Sequence, residues 1–426
     1  MDRGLKAFVI IILELVLLAS VFMAGLAAGH FSSRLAVSPT PTPPANVQEE
    51  RQKAFQLFWE AWDILEQNFY GDLPDLQQAA RDAVKGVLQR LNDPYTVLLD
   101  PELARIVSED ISGQFEGIGA TVRTDENGFL IIVEPIENSP ASRAGLRPGD
   151  IVLEVDGESI QGWSTTEAVA KIRGPRGTKV KLLIYRPSTQ EQFTVEITRE
   201  RIDIPTVETR WLEDETIFYL RLREFNSLAD DKVREALKEM QRHGAKGLIL
   251  DLRGNPGGLL DVAVSVASEF VGQGIITEER TKDGTTKQYP ALAGGLATDP
   301  SLPMVVLVNQ ASASASEIVA GAIQDTGRGL LVGTRTFGKG AIQQVHQLSD
   351  GSQLRVTIAH WFTPKGRDIH KNGLEPDVPV ELSWEEYQAG RDTQLEKALE
   401  VLKERIGGSA GSVLFLPAAV YVHFPS

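Results

Sequence analysis

The first hydrophobic stretch is continuous: Ala7 to Ala28 carries one charge, Glu14. As a helix rising about 1.5 Å per residue it would be about 33 Å long, enough to cross a bilayer. Arg3 and Lys6 precede it, so a single-pass anchor is expected, with the amino terminus in the cytoplasm and the bulk of the chain outside. A cleaved signal peptide is the alternative, with small residues at Gly25-Leu26-Ala27, although its apolar region ordinarily runs only about 7–15 residues. Residues 37–48 then read as an extended Pro/Thr linker. From Glu49 the apolar positions fall at three- and four-residue steps, namely Phe55, Phe58, Trp59, Trp62, Leu65 and Phe69, which predicts a helix. A second amphipathic run, Leu76 to Leu91, ends at Asn92-Asp93-Pro94. The aromatic stripe is expected in a core or a helix–helix contact, a homo-oligomer surface being the alternative.

Between Ser112 and Glu200 the texture changes to short alternating strands and glycine turns. Strands are expected at Phe129 to Val133, Ile151 to Val155, Lys179 to Tyr185 and Gln192 to Thr198, with helices at Ala141 to Leu146 and Thr165 to Ile172. Asp156-Gly157 marks a hairpin. Beyond residue 200 the strands become continuous apolar runs: Ile217 to Leu222, Gly247 to Leu252 and Met304 to Val308. Helical patterns separate them at Asp230 to His243 and Leu259 to Phe270, and another follows from Glu317 to Asp325. Such alternation implies right-handed crossovers and a sheet covered on both faces. In that architecture the loops at the carboxyl ends of the strands form the site, which singles out Asn255 to Gly258 and Ala311 to Ser316.

Composition narrows the chemistry. The formal charge of −15 leaves no basic excess for nucleic acid. The absence of cysteine removes disulfides, thiol catalysis and thiolate metal sites. There is no H-E-x-x-H and no G-x-S-x-G, and His346 and His360 lie on β-like runs that suit structural histidines. No metal site and no cofactor are expected.

Two residues in the last third invite a chemical reading. Gly333 to Lys339 nearly matches the phosphate-binding pattern G-x-x-x-x-G-K-[ST], but Gly340 replaces the hydroxyl and a strand-like run follows where a helix should cradle phosphate. Ser314-Ala315-Ser316-Glu317 is a capping box, so Ser314 reads equally as a helix cap or as a nucleophile beside helix N–H groups.

The stretch Ser139 to Trp163, SPASRAGLRPGDIVLEVDGESIQGW, resembles the central block of PDZ domains. That resemblance implies a loop at Glu116, Gly117, Ile118 and Gly119 offering N–H groups to a peptide's terminal carboxylate, with the peptide adding a strand. The runs VLVNQASASASEIVAGAIQD, TFGKGAIQ and FTPKGRDIHKNGLEPD resemble the carboxyl-terminal processing, or tail-specific, proteases. The implied fold is multidomain α/β: a ClpP/crotonase-like protease core with an inserted PDZ domain, a helical amino-terminal segment and the anchor. The implied division is 1–36 anchor, 37–48 linker, 49–111 helical part, 112–200 PDZ, 201–402 protease core and 403–426 an unassigned, largely apolar tail.

Carried over position by position, Ser314 matches the nucleophile, Lys339 the base and Gln343 the residue orienting the lysine amine. Gly257 and Ala315 match the oxyanion donors, with Glu317 and Asp325 in supporting positions. The resemblance implies a serine endopeptidase acting near the carboxyl termini of extracytoplasmic proteins. The alternative is a silent membrane-anchored scaffold that binds tails without cutting them.

Overall fold

The computed structural model describes residues 45–408, apart from 112, 126, 127, 164, 204, 384, 385 and 387–389. The expected anchor and the apolar tail lie outside the described residues. Among those described, no helix is long and apolar enough to cross a membrane. The chain divides into two compact units between Gln78 and Ala79.

In the first unit the helix Ala45–Asn68 starts inside the expected linker, directly after the last proline of the run. Its aromatic stripe is not core, since Phe55, Trp59 and Phe69 are exposed. Phe58 packs along the helix itself, edge-on to Trp59 at 5.2 Å and stacked on Trp62 at 6.1 Å between centroids.

Within the second unit, a β-rich body is inserted through a two-stranded neck. Gln114–Gly117 leads in and Glu200–Asp203 leads out, paired antiparallel with Phe115 opposite Ile202. The insertion is an antiparallel sheet in the order Ala120–Thr124, Leu130–Pro135, Ile151–Val155, Lys179–Arg186, Glu191–Thr198. Ile132, Val155, Val180, Leu182 and Ile184 form its fully buried core, and Ala168 and Ile172 of the helix Thr165–Ile172 close it. Each buried aliphatic side chain contributes about 1.5–3 kcal/mol, so this small body has a core of its own.

The larger body is a six-stranded sheet whose spatial order follows the chain: Val207–Leu212, Ile217–Leu222, Gly247–Asp251, Met304–Val308, Leu330–Gly333, Val378–Pro379. Only the first pairing is antiparallel. Side chains alternate between two cores, as a pleated strand requires. Leu248, Leu250, Met304, Val306 and Val308 face the helices Ala229–His243, Leu260–Ser268 and Ala315–Thr326. Ile249, Val305, Leu307 and Val332 face Ala398, Val401 and Leu402 of the helix Thr393–Gly408. Both faces are therefore covered, and the glycine and serine loops emerge together at the carboxyl ends.

A second, antiparallel sheet stands beside that end. Gln353–Phe362 pairs with Ala341–Gln347 on one side and with Val97–Leu99 and Ile275–Thr281 on the other. This brings the segment around Tyr95 to the strand that follows Lys339.

Candidate active site

Ser314 sits where the buried strand Met304–Val308 has turned and the helix Ala315–Thr326 begins. Its backbone has φ 54° and ψ −112°, a region that non-glycine residues avoid at a cost of about 1–3 kcal/mol. The strain is held by stitches from neighbouring loops. Ala313 N–H donates to Asn255 O at 3.0 Å, and the Ser316 hydroxyl donates to the same carbonyl at 2.9 Å. Ser312 Oγ donates to Leu252 O at 2.8 Å, and Phe337 N–H donates to Ser312 O at 3.0 Å. Ser314 and Glu317 form a capping box at the start of this helix, with the Glu317 carboxylate accepting Ser314 N–H at 2.9 Å.

Glu317, fully buried, joins the serine loop to the lysine loop. Its Oε2 accepts Ser314 N–H and Lys339 N–H, both at 2.9 Å. Its Oε1 accepts the Thr336 hydroxyl at 2.6 Å and Gly338 N–H at 2.7 Å. Burial raises the carboxyl's pKa, and these donors pull against that.

Lys339 is flanked by glycines for steric reasons. A Cβ on Gly340 would lie 2.4 Å from His370 N, and one on Gly338, where φ is 87°, would meet Gly373 N at 3.0 Å. The ammonium nitrogen lies 5.5 Å from the centre of the Tyr95 ring. Desolvation lowers the lysine's pKa first and the Arg355 charge adds to it, while Glu317 acts in the opposite sense. Among the described residues, no hydrogen bond joins Lys339 Nζ to Ser314 Oγ.

The remaining expected residues are placed as follows. Gln343 donates through Nε2 to Tyr95 O rather than to the lysine. Gly257 lies against Ser314, since a Cβ there would be 2.8 Å from Ser314 Cβ and 2.9 Å from Ala315 N. Its N–H, however, donates to Asn255 Oδ1 at 2.9 Å in an Asx turn. Asp325 sits at the far end of its helix, accepting Lys365 N–H at 2.8 Å and pairing with Arg367, so it fixes a turn away from the serine. Tyr95, Thr336 and Arg355 carry no periodic signature and no motif points to them, while Asn255 falls in the expected site loop but its bonds to Leu222, Gly257, Ala313 and Ser316 have no sequence signal. Gly257→Ala is expected to lower kcat/KM about a hundredfold, because the new methyl meets Ala313 O and Ala315 N of the serine loop. Steady-state kinetics beside a thermal melt would check it, and unchanged turnover would refute the placement.

Comparison with known proteins shows the family. The model of peptidase family S41 matches residues 216–380, and a PDZ domain model matches 131–186. The Carboxy-terminal processing protease CtpB of Bacillus subtilis (strain 168) is 35% identical over 385 residues, covering 89% of this chain and 78% of that protein. The chain belongs to the carboxy-terminal processing proteases. The Carboxyl-terminal-processing protease of Synechocystis sp. (strain ATCC 27184 / PCC 6803 / Kazusa) is 36% identical over 410 residues, covering 90% and 94%. Among solved structures, the photosystem II D1 C-terminal processing protease aligns with a TM-score of 0.51 and 33% identity, over 80% of this chain and 90% of that one. The protease is thus a serine-type peptidase of mixed α/β fold carrying a PDZ domain.

Proposed function

We propose that the protease cuts proteins near their carboxyl termini with Ser314 as nucleophile and Lys339 as base. The observation that carries this reading is the single Glu317 oxygen that accepts the backbone N–H of both residues. Neutral Lys339 takes the proton of Ser314 Oγ as that oxygen bonds to the scissile carbonyl carbon. The tetrahedral intermediate collapses, the C–N bond breaks, and the lysine returns its proton to the departing amine. Water, losing a proton to the Lys339 amine, then attacks the acyl carbon; the ester C–O bond breaks, the lysine passes the proton to Ser314 Oγ, and the new carboxyl terminus leaves. N–H groups at Ala315 and Gly257 are suited to the oxyanion. In this structure the Gly257 N–H is held by Asn255, and Gln343 by Tyr95, so substrate has to draw both toward the reacting atoms.

Substrate selection is assigned to the PDZ domain. Ala120–Thr124 is an edge strand; of the expected loop Glu116 to Gly119, Glu116 and Gly117 belong to the neck strand, and Ile118 and Gly119 alone link it to the edge strand. Among the described residues, the N–H groups of Ile118 and Gly119 have no hydrogen-bond partner. Gly119 has φ 76° and packs on Ser139, which leaves no room for a side chain. An added peptide strand with its carboxylate on those N–H groups fits this arrangement. The substrates are then extracytoplasmic proteins with free carboxyl ends, met by a protease tethered through Ala7 to Ala28. The exposed aromatic stripe of Ala45–Asn68 suits a homo-oligomer contact.

A serine-reactive acylating probe tests the chemistry. It should label wild-type protein at Ser314 and leave Lys339→Ala unlabelled; labelling of neither would favour the silent scaffold. Amidating the terminus of a cleaved peptide is expected to reduce kcat/KM at least tenfold, an expectation that equal cleavage would refute.

A further inference from the structure

Lys339 is approached by charged and titratable groups from several elements. Glu317 comes from the helix Ala315–Thr326, and Tyr95 and Asp93 from the segment before Val97–Leu99. His370 and Lys371 come from the loop packed on Gly338 and Gly340, and His360 stacks on His370 at 4.1 Å. Arg355 comes from the strand Gln353–Phe362.

Arg355 differs from the other arginines around the site. Arg253 is paired with Asp251 and Asp392, and Arg367 with Asp325. Arg355 is half-buried, its Nε is shut away from solvent without a hydrogen-bond partner, and no carboxylate pairs with it among the described residues. Holding a guanidinium half out of water without a counter-ion is unfavourable, and an aliphatic side chain would fill the place at less cost.

Register shows what the position faces. Arg355 lies opposite Val345 on one side and Val97 on the other, and Thr357, two residues on, lies opposite Gln343. Strand alternation therefore puts Arg355 on the same sheet face as Gln343, whose amide reaches Tyr95 O, two residues before Val97. Tyr95 in turn carries the Lys339 ammonium over its ring.

We propose that Arg355 is a positioning residue for the reaction: its unpaired charge, on the sheet face of Gln343 beside Tyr95, opposes the Glu317 carboxylate and favours the form of the Lys339 amine that can take the Ser314 proton. Burial acts on the amine in the same direction, and Glu317 against it. Arg355 touches none of the reacting atoms and acts through the lysine. The inference rests on Lys339 being the base, so its test reads the amine directly as well as the turnover.

Full-length protein is labelled with trace amine-acetylating reagent across a pH series, and Lys339 modification is quantified by peptide mapping. This is done for Ser314→Ala alone and combined with Arg355→Gln, Arg355→Met or Arg355→Lys. Removing the charge should move the Lys339 titration up by about one pH unit. In the active forms the acid limb of kcat/KM should move up equally, giving about tenfold lower kcat/KM on the limb and recovery at high pH. Arg355→Lys should follow the wild-type profile. A Lys339 titration unmoved in both Gln and Met variants, or a loss uniform in pH, overturns this role and leaves the dyad standing. Cleavage that survives Lys339→Ala overturns the dyad and this role with it.

Discussion

Replacing Lys339 by alanine is expected to lower kcat roughly ten-thousand-fold or more, with KM little changed and the melting temperature close to wild type. The size of the loss follows from what the amine does. Without a base the Ser314 hydroxyl keeps its proton at neutral pH, and only orientation and oxyanion stabilisation remain. The mild effect on folding follows from the contacts. Lys339 Nζ makes no hydrogen bond to the described residues, and the loop is held through backbone atoms that alanine retains, chiefly Lys339 N–H on Glu317. Ser314→Ala should lose as much, and the double variant should be no worse than either alone, because the pair acts as one unit. Lys339→Arg should also be inactive, since a guanidinium stays protonated throughout the working range. The measurement is single-turnover cleavage of a peptide beside calorimetry. Substantial activity in Lys339→Ala would falsify the assignment of the base.

The limits of what the sequence conveyed have physical causes. Strands buried on both faces announce themselves as unbroken apolar runs, so Ile217–Leu222 and Met304–Val308 were legible to the residue. Val207–Leu212 was not, because an edge strand with the pattern Val-Glu-Thr-Arg-Trp-Leu is half-polar. The antiparallel sheet was legible only in part: the β-like runs after Lys339 and around His360 are its strands, but nothing marked their partners. Its pairings join Val97 to Arg355 and Glu279 to Trp361, and such separations leave no local periodicity. The aromatic stripe is exposed and so not core, because helical spacing reports that a face is apolar and not what covers it. At the site, residue types pointed to Ser314 and Lys339. Only the folded loops bring Gly257 N–H to Asn255 and Gln343 to Tyr95. Glu317 read as half of a capping box, which it is, since its carboxylate accepts Ser314 N–H. Its second pair of duties, on Thr336 and the glycine–lysine turn, depends on a loop some twenty residues away and has no sequence signature.

Those duties make Glu317→Gln the most informative change outside the dyad. Four donors converge on the carboxylate: Ser314 N–H and Lys339 N–H on one oxygen, Thr336 O–H and Gly338 N–H on the other. Glutamine keeps the volume but replaces one accepting oxygen with an NH2 group, so two donors must face a third. Each buried donor left without an acceptor costs about 1–3 kcal/mol, and a loss of about 3 kcal/mol in folding stability is expected. Activity should suffer beyond that. The same bonds hold Ser314 in its strained backbone conformation and set the spacing between the two loops. Release of either permits the serine to relax toward ordinary helical geometry. We expect kcat to fall about a hundredfold or more in protein that is still folded, with little change in KM. Glu317→Ala should be worse on both counts, since it adds a cavity and orphans all the donors. The discriminating experiment compares the variants below their melting transitions. If Glu317→Gln were folded, stable and fully active, the carboxylate would be only a helix cap, and the shared Glu317 oxygen could no longer explain how the two loops are aligned.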